Sequence, residues 1–312
     1  MYELDGMQFD RDQGSSAASR QHVAVMAEEV VRLVRACKPN LVIDATVGTG
    51  GHAERILDET RAILLGIDRD DAALQIAAER LSRFGARVVL QQADFRDLDQ
   101  IIDSTGNSKA SAIVADLGMS SFALDDLERG FSFGAGGPLD MRMDRRQKLR
   151  AYDIVNEESE QELARILRDF GEERAANRIA RAIVMARRRN PLQTTSELAT
   201  VIASAVGGRR FGAINPATRS FQALRIAVNR ELDSLADLLQ KAPQLLEAGG
   251  RMIVLAYHSL EDRPVKQRFR ELTAGGEFVA TSRKAIRPGA DEVVINRRAR
   301  SARLRCVERV LR

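Results

Sequence analysis

The sequence predicts an α/β fold: a parallel sheet covered by helices on both faces, interrupted once by a helical insertion. Three observations carry this prediction. From about residue 24, short apolar runs alternate with amphipathic segments. The runs are continuous rather than alternating polar and apolar, as strands buried on both faces require. The rhythm stops near residue 120 and resumes after residue 215, so the sheet is entered, left and re-entered.

Each element has a local signature. Val25, Met26, Val30, Leu33 and Val34 recur at helical spacing, and Leu41–Ile43 follows as a first strand. A helix over about 52–59 leads to a second strand, Ile63–Ile67, and an amphipathic stretch over 70–83 leads to a third in "RVVLQQADF". "SAIVADLG" (111–118) is the fourth. Strand-helix repetition of this kind argues for parallel pairing through helical crossovers.

The interruption opens with a Gly- and Pro-bearing loop, "GFSFGAGGPLDMRMD", and continues with helices. Ser159 and Glu162 have capping-box spacing before Leu163, Ile166 and Leu167; Ile179, Ile183 and Val184 mark a second helix, and Leu198, Val201 and Ile202 a third. One long helix is expected over about 217–240, with Leu224, Val228, Leu232, Leu235 and Leu239 on one side. Gly249-Gly250 reads as its stop and Met252–Tyr257 as a buried strand. Extended segments over 278–283 and 303–310 finish the chain.

Composition narrows the function. A chain of 312 residues, 44% of them hydrophobic, can bury a sizeable core. No stretch approaches the roughly 18 apolar residues of a membrane span, and "MYELDGMQFDRDQGSSAASRQ" lacks the form of a signal peptide. A cytoplasmic protein with a flexible polar leader over 1–21 is expected. Cys37 and Cys306 fit no metal spacing and read as reduced core residues; His22, His52 and His258 are too scattered for a zinc site. Only six of the 48 basic residues are lysines. Arginine forks bind phosphate and stack on bases. Composition alone favours a plainer explanation, a GC-rich coding bias with solvated helix faces, but the clusters "RMDRRQKLR", "ARRR", "GGRRFG" and "NRRARSARLR" tilt the balance towards a nucleic-acid partner.

The candidate site lies at the carboxyl ends of the strands, where parallel sheets bind ligands. Gly48, Gly50 and Gly51 in "DATVGTGGH" let a ligand approach the backbone at a helix start. Their G-x-G-G spacing lacks the later glycine of a dinucleotide fingerprint, and no Walker lysine follows. Asp68 at the second strand end suits ribose hydroxyls, Asp94 and Phe95 at the third suit an adenine, and Asp116 closes the fourth. Singly, each has a plainer explanation as a turn, a helix cap or a core aromatic. Together they describe a nucleoside crevice.

These residues and longer segments resemble the ribosomal RNA small subunit methyltransferase H family. The matching stretches are "DATVGTGGH", "GIDRD", "DLGMSS", "LDDLERGFSF", "GPLDMRMD", "NPATRSFQALRIAVN", "YHSLEDRPVK" and "RARSARLR", in family order from about His22 onward. The resemblance implies a Rossmann-like class I methyltransferase sheet with a helical insertion domain. It implies methylation of the exocyclic N4 of a cytidine in the decoding region of 16S rRNA, with S-adenosylmethionine as cofactor. The methyltransferase domain would span 22–119 and 216–312, and the RNA-recognition insertion 120–215. Gly50, Gly51 and His52 would surround the methionyl portion, with Asp68 on the ribose, Phe95 beside the adenine and Asp116 near the reacting end. At one position the chain departs from the family: after "DLGMSS" it has Phe122-Ala123 where a glutamine usually contacts the cofactor, and Ala123 cannot make that contact.

An arriving methyl places positive charge on N4, so a nearby acceptor should stabilise the transition state and help remove a proton. Asp116 is the first candidate and His258, in "YHSLEDR", the second, with Ser120-Ser121 holding the base. Asp140, Arg142, Asn215, Arg219 and Arg225 are the candidate RNA contacts, although each could instead tie the insertion to the sheet. The expected partner is 16S rRNA or the small ribosomal subunit, and the sequence leaves a homodimer open. Two other functions fit parts of the pattern: a nicotinamide-dependent oxidoreductase, which needs the missing glycine, and a non-catalytic RNA-binding or assembly protein, to which only Ala123 points.

Overall fold

The computed structural model describes residues 24–132, 136–207 and 215–310. The leader, most of the basic cluster "GGRRFG" and part of the "GFSFGAGG" loop therefore lie outside the described residues. The first half of the sheet is built by α1 (Ala27–Ala36), β1 (Leu41–Asp44), α2 (Gly51–Glu59), β2 (Ile63–Asp68), α3 (Asp71–Leu81), β3 (Val88–Gln92), α4 (Leu98–Ser104) and β4 (Ala110–Asp116). The interruption follows as α5 (Ser121–Asp125), α6 (Ala151–Glu157), α7 (Glu160–Gly171), α8 (Ala176–Arg187) and α9 (Thr195–Ala205). Then α10 (Thr218–Asn229) and α11 (Glu231–Lys241) lead back to β5 (Leu246–Ala256), α12 (Ser259–Ala274), β6 (Phe278–Ala280), α13 (Ala290–Ile295) and β7 (Arg303–Arg309).

The seven strands lie in the order β3-β2-β1-β4-β5-β7-β6. The first five are parallel, and β7 runs antiparallel between β5 and β6. Period-two alternation sends neighbouring residues to opposite faces. Leu41, Ile43, Ile113 and Val254 pack under α4, α11 and α12, while Val42, Ala112, Val114 and Ile253 pack under α1 and α2. With both faces covered, β1 is buried at all four residues, the terminal Asp44 included.

The helical interruption has its own core, including Leu163, Ile179, Leu198 and Phe221. Ser159 caps α7 by accepting from the Glu162 amide at 3.1 Å, and Thr194 and Glu197 make a full capping box on α9. This core continues past residue 215 through Phe221, Leu224 and Val228, so α10 buries its apolar side against the inserted helices. The body is pinned to the sheet by Arg129, 2% exposed, whose guanidinium donates to the Asp70 carboxylate at 2.8 Å and to the carbonyls of Arg142 and Met143.

Two expectations are corrected. The single helix over 217–240 is two, because Arg230 takes a left-handed conformation (φ 49°) that ends α10 and turns the chain into α11. Gly249-Gly250 is not a helix stop: α11 ends at Lys241, a 3-10 turn carrying Pro243 follows, and both glycines lie inside β5. The β4–β5 register shifts between Ala110 and Ala112, and a Cβ at position 250 would come within 2.9 Å of the Glu247 carbonyl and 3.1 Å of the Ala110 and Ser111 carbonyls. The glycines serve a β-bulge where two backbones approach closely.

Candidate active site

The glycine turn leaves β1 and is fastened to its neighbours by backbone bonds. The Ala45 amide donates to the Val114 carbonyl at 2.8 Å, and that of Val47 to the Ile67 carbonyl at 2.9 Å. The Thr46 hydroxyl accepts from the Asp116 amide at 2.7 Å, so the ends of β1 and β4 are held together. Gly48 and Gly50 have φ of 51° and 83°, a region costly for other residues. Gly48 exposes its backbone to the crevice, whereas a Cβ on Gly50 would press on Leu81 of α3 at 3.4 Å.

One crevice crosses the carboxyl ends of β1, β2, β3 and β4. Gly48, Gly51, His52, Asp68, Phe95, Asp116 and Ser120 line it, as expected from the sequence positions. Gly50 lies behind the turn. His258 is not among the lining residues, and Asp140, Arg142, Asn215, Arg219 and Arg225 stand outside the lining as well; the Ser121 side chain lies outside the described residues.

Asp68 is held in place by the amides of Gly48 (2.8 Å) and Asp70 (2.9 Å), one to each carboxylate oxygen. Burial raises its pKa, and the two N–H groups act against that rise. Each oxygen keeps a free lone pair for a hydroxyl donor. Phe95 presents its ring beneath the Arg69 guanidinium, 5.4 Å from the ring centre. Asp94 does not line the crevice: it caps the turn at Phe95 through the Arg96 amide and pairs with Arg69 at 2.7 Å and Arg96 at 3.0 Å.

At the other end Asp116 gathers donors. His52 Nε2 is 3.3 Å from one carboxylate oxygen, the Gly118 amide 3.2 Å from the other, and the Tyr257 hydroxyl hydrogen-bonds the same group. Burial works to raise the Asp116 pKa, but the His52 hydrogen bond and charge leave it below the ordinary range. Burial works to lower the His52 pKa, and Asp116 with Asp44 reverses it, holding the imidazole protonated to higher pH. Asp44, 2% exposed, is pushed up by burial to about 7, with His52 acting against the rise. Its Oδ2 and the His52 Nδ1 are buried without a protein partner.

The remaining wall comes from residues that, apart from Ala123, single positions did not reveal. Met119, Ala123 and Met143 supply an apolar side, and Glu231, Leu232, Leu235 and Glu261 come from α11 and α12. Their participation depends on the sheet's topology, and no local motif marks it. Arg225 is half-buried and pairs with both Glu231 oxygens at 2.8 Å, so it positions a lining acid. His258 does the same for Glu261: Nε2 is 2.9 Å from Glu261 Oε1, and Glu261 Oε2 accepts from the Tyr257 amide at 2.7 Å. Arg142 spends its guanidinium on Asp140 (2.7 and 2.8 Å) and on the Arg145 and Gln147 carbonyls. The Asn215 side chain accepts from the Ala217 amide at 2.9 Å, and Arg219 reaches the Glu172 carbonyl at 3.4 Å.

This chemistry suits a cationic nucleoside. Asp68 and Phe95 match a ribose and a base, while the lining carboxylates of Asp116, Glu231 and Glu261 suit a sulfonium and an ammonium. The orphaned Asp44 oxygen is an acceptor in want of a donor. Such a sheet and crevice define a class I, S-adenosylmethionine-dependent methyltransferase. The chain belongs to the MraW methylase family, which it matches over residues 19–310. Similar proteins carry the name "Ribosomal RNA small subunit methyltransferase H". That of Syntrophotalea carbinolica is 46% identical over 308 residues, 93% of this chain and 98% of that protein. That of Mycobacterium sp. strain KMS is 44% identical over 330 residues, 96% and 88% respectively, and that of Persephonella marina 43% over 292 residues, 93% and 99%. Membership of a methylase family sets aside the hydride-transfer alternative. Among the described residues no helix is long and apolar enough to cross a membrane, and no group of three or more His, Cys, Asp or Glu is placed to hold a metal.

Proposed function

We propose that this enzyme methylates the exocyclic N4 of a cytidine in the decoding region of 16S rRNA, acting in the cytoplasm on the RNA or on the small subunit. The observation that carries this reading is the Asp116 carboxylate, exposed to the crevice and oriented by His52, Gly118 and Tyr257 at the end opposite Asp68 and Phe95. Bound S-adenosylmethionine supplies an activated methyl group. The protein aligns the acceptor nitrogen, excludes water and receives a proton.

N4 lone-pair density is spread into the cytosine ring, so the amine is a weak nucleophile. Asp116 accepts a hydrogen bond from it and holds the lone pair towards the methyl carbon. As the new bond forms, the nitrogen becomes cationic and strongly acidic, so even a carboxylate of depressed pKa can take the proton and hand it to solvent. The base reaches this point only if unstacked from its strand. We assign that handling to the inserted helices over 120–215, with α10 packed on them, and to the Ser120-Ser121 backbone. Arg142, Arg225 and His258 act in this reading by fixing the wall, while Arg219 remains exposed and available to phosphate.

The deciding experiment is transfer of labelled methyl to small subunits from cells lacking the enzyme, followed by nucleoside analysis. Label in N4-methylcytidine is the expected result. Label in any other nucleoside would overturn the substrate assignment.

A further inference from the structure

The segment between Ile286 and Leu304 leaves the sheet as a closed arm. Its base is clasped by two backbone bonds, the Ile286 amide to the Leu304 carbonyl at 2.9 Å and the Leu304 amide to the Ile286 carbonyl at 3.0 Å. Its tip is α13, where Val294 and Ile295 are 81% and 80% exposed, against 57% for Met185, the next most exposed large hydrophobic among the described residues. Two adjacent aliphatic side chains held almost wholly in water are costly unless something covers them.

The arm stands beside the crevice mouth, tied on two sides. Glu292 accepts from the Met26 amide at 2.6 Å, two residues from the lining residue Ala24. Arg298 lies 3.8 Å from Asp125, two residues beyond the lining residue Ala123. The second tie leads to the reacting end of the crevice, because α5, which ends at Asp125, follows directly on Ser120 just beyond the Asp116 strand end. In the sequence on either side of the apolar tip, Arg283, Lys284, Arg287, Arg297, Arg298 and Arg300 are all exposed. Asp291 and Glu292 are the acids of the same stretch, and Glu292 is turned inward to Met26.

We propose that this arm is an RNA-distorting wedge: Val294 and Ile295 enter the base stack next to the target cytidine while the surrounding cations hold the flanking phosphates. The inference rests on the rRNA substrate reading given above. Aliphatic side chains inserted at a base step unstack it, and cations on either side offset that cost by contacts to the backbone. A wedge is needed close to a site that acts on an extruded base. The charge argues for RNA over a second copy of the chain, because a self-contact here would bring like charges together. Two aliphatic side chains are also far short of the roughly 800 Å² per partner of a stable protein interface.

The test uses the full-length protein with undermethylated small subunits. Replacing both tip residues (V294S/I295S) is expected to lower kcat/KM for subunits at least tenfold, with the Kd for S-adenosylmethionine within twofold of wild type and thermal unfolding unchanged. A photo-cross-linking residue at position 295 should join rRNA within a few nucleotides of the methylated cytidine. Wild-type kcat/KM in V294S/I295S overturns the wedge, and so does a cross-link between two protein copies or a shift of the variant from dimer to monomer in sedimentation. If the wild type transfers no methyl to subunits, the substrate reading fails instead, and the rRNA cross-link still decides what this surface touches.

Discussion

Asp116 must remain charged in a half-buried place and yet accept a proton in passing, and its three donors reconcile the two. Asp116→Asn keeps the shape and removes the acceptor. It is expected to lower the single-turnover rate about 10²–10⁴-fold, while S-adenosylmethionine binding, followed by calorimetry, changes far less. Asp44 and His52 give a second test. A cation entering the crevice favours ionised Asp44 and disfavours protonated His52, so cofactor binding near pH 7 should release protons, read as a binding enthalpy that varies with the buffer's ionisation enthalpy. Stability carries the same signature. The Asp44 pKa is raised from 3.8 to about 7, so the folded state holds the extra proton and loses stability as pH rises through that window. Relative to Asp44→Asn, wild type should lose up to about 4 kcal/mol between pH 4 and 7 and nothing further above it, measured by urea unfolding. Asp44 itself was not legible as a titrating group, because its pKa comes from burial and from partners 8 and 72 residues away in the chain.

Among the elements, the strands and the first helices could be read from sequence because their buried sides are apolar and periodic. No such cue marks α12. Val265 and Phe269 are buried there, but so are Glu261 and Asp262, the latter paired with Arg303 at 2.6 Å and Arg305 at 2.8 Å. A buried face that is half acidic hides its period. The break between α10 and α11 was equally silent, since Arg230 bears no mark of its left-handed backbone. The Asp70–Arg129 bridge joins α3 to the loop before α6, and both partners are at most 5% exposed. Removing one partner leaves an unpaired buried charge. Arg129→Met is therefore expected to destabilise by about 3–5 kcal/mol, with much of the loss recovered in the D70N/R129M double variant, in a denaturant double-mutant cycle.

For the molecule as a whole, the crevice draws on both halves of the chain, from Ala24 to Glu261, and only the glycine turn and the acids at the strand ends announce it locally. The arginine bias belongs to this scale. If six to ten phosphates are contacted, affinity for small subunits should fall about 10³–10⁵-fold between 50 and 200 mM salt. Arg297→Gln should reduce the slope of log affinity against log salt by about 1. A flat salt dependence would refute an electrostatic footprint.

The strand order also sets a clock. β4 ends at Asp116 and its partner β5 begins at Leu246, so the ribosome must make roughly 130 further residues before that edge of the sheet is paired. At about 5–20 residues per second the gap lasts on the order of ten seconds. During that interval the nascent chain carries a finished glycine turn beside an open, mostly apolar strand edge, the kind of surface that recruits chaperones. The inserted helices complete their own core at Val228, shortly before β5 emerges. In the growing chain, then, the insertion is the last body to close before the catalytic crevice can exist.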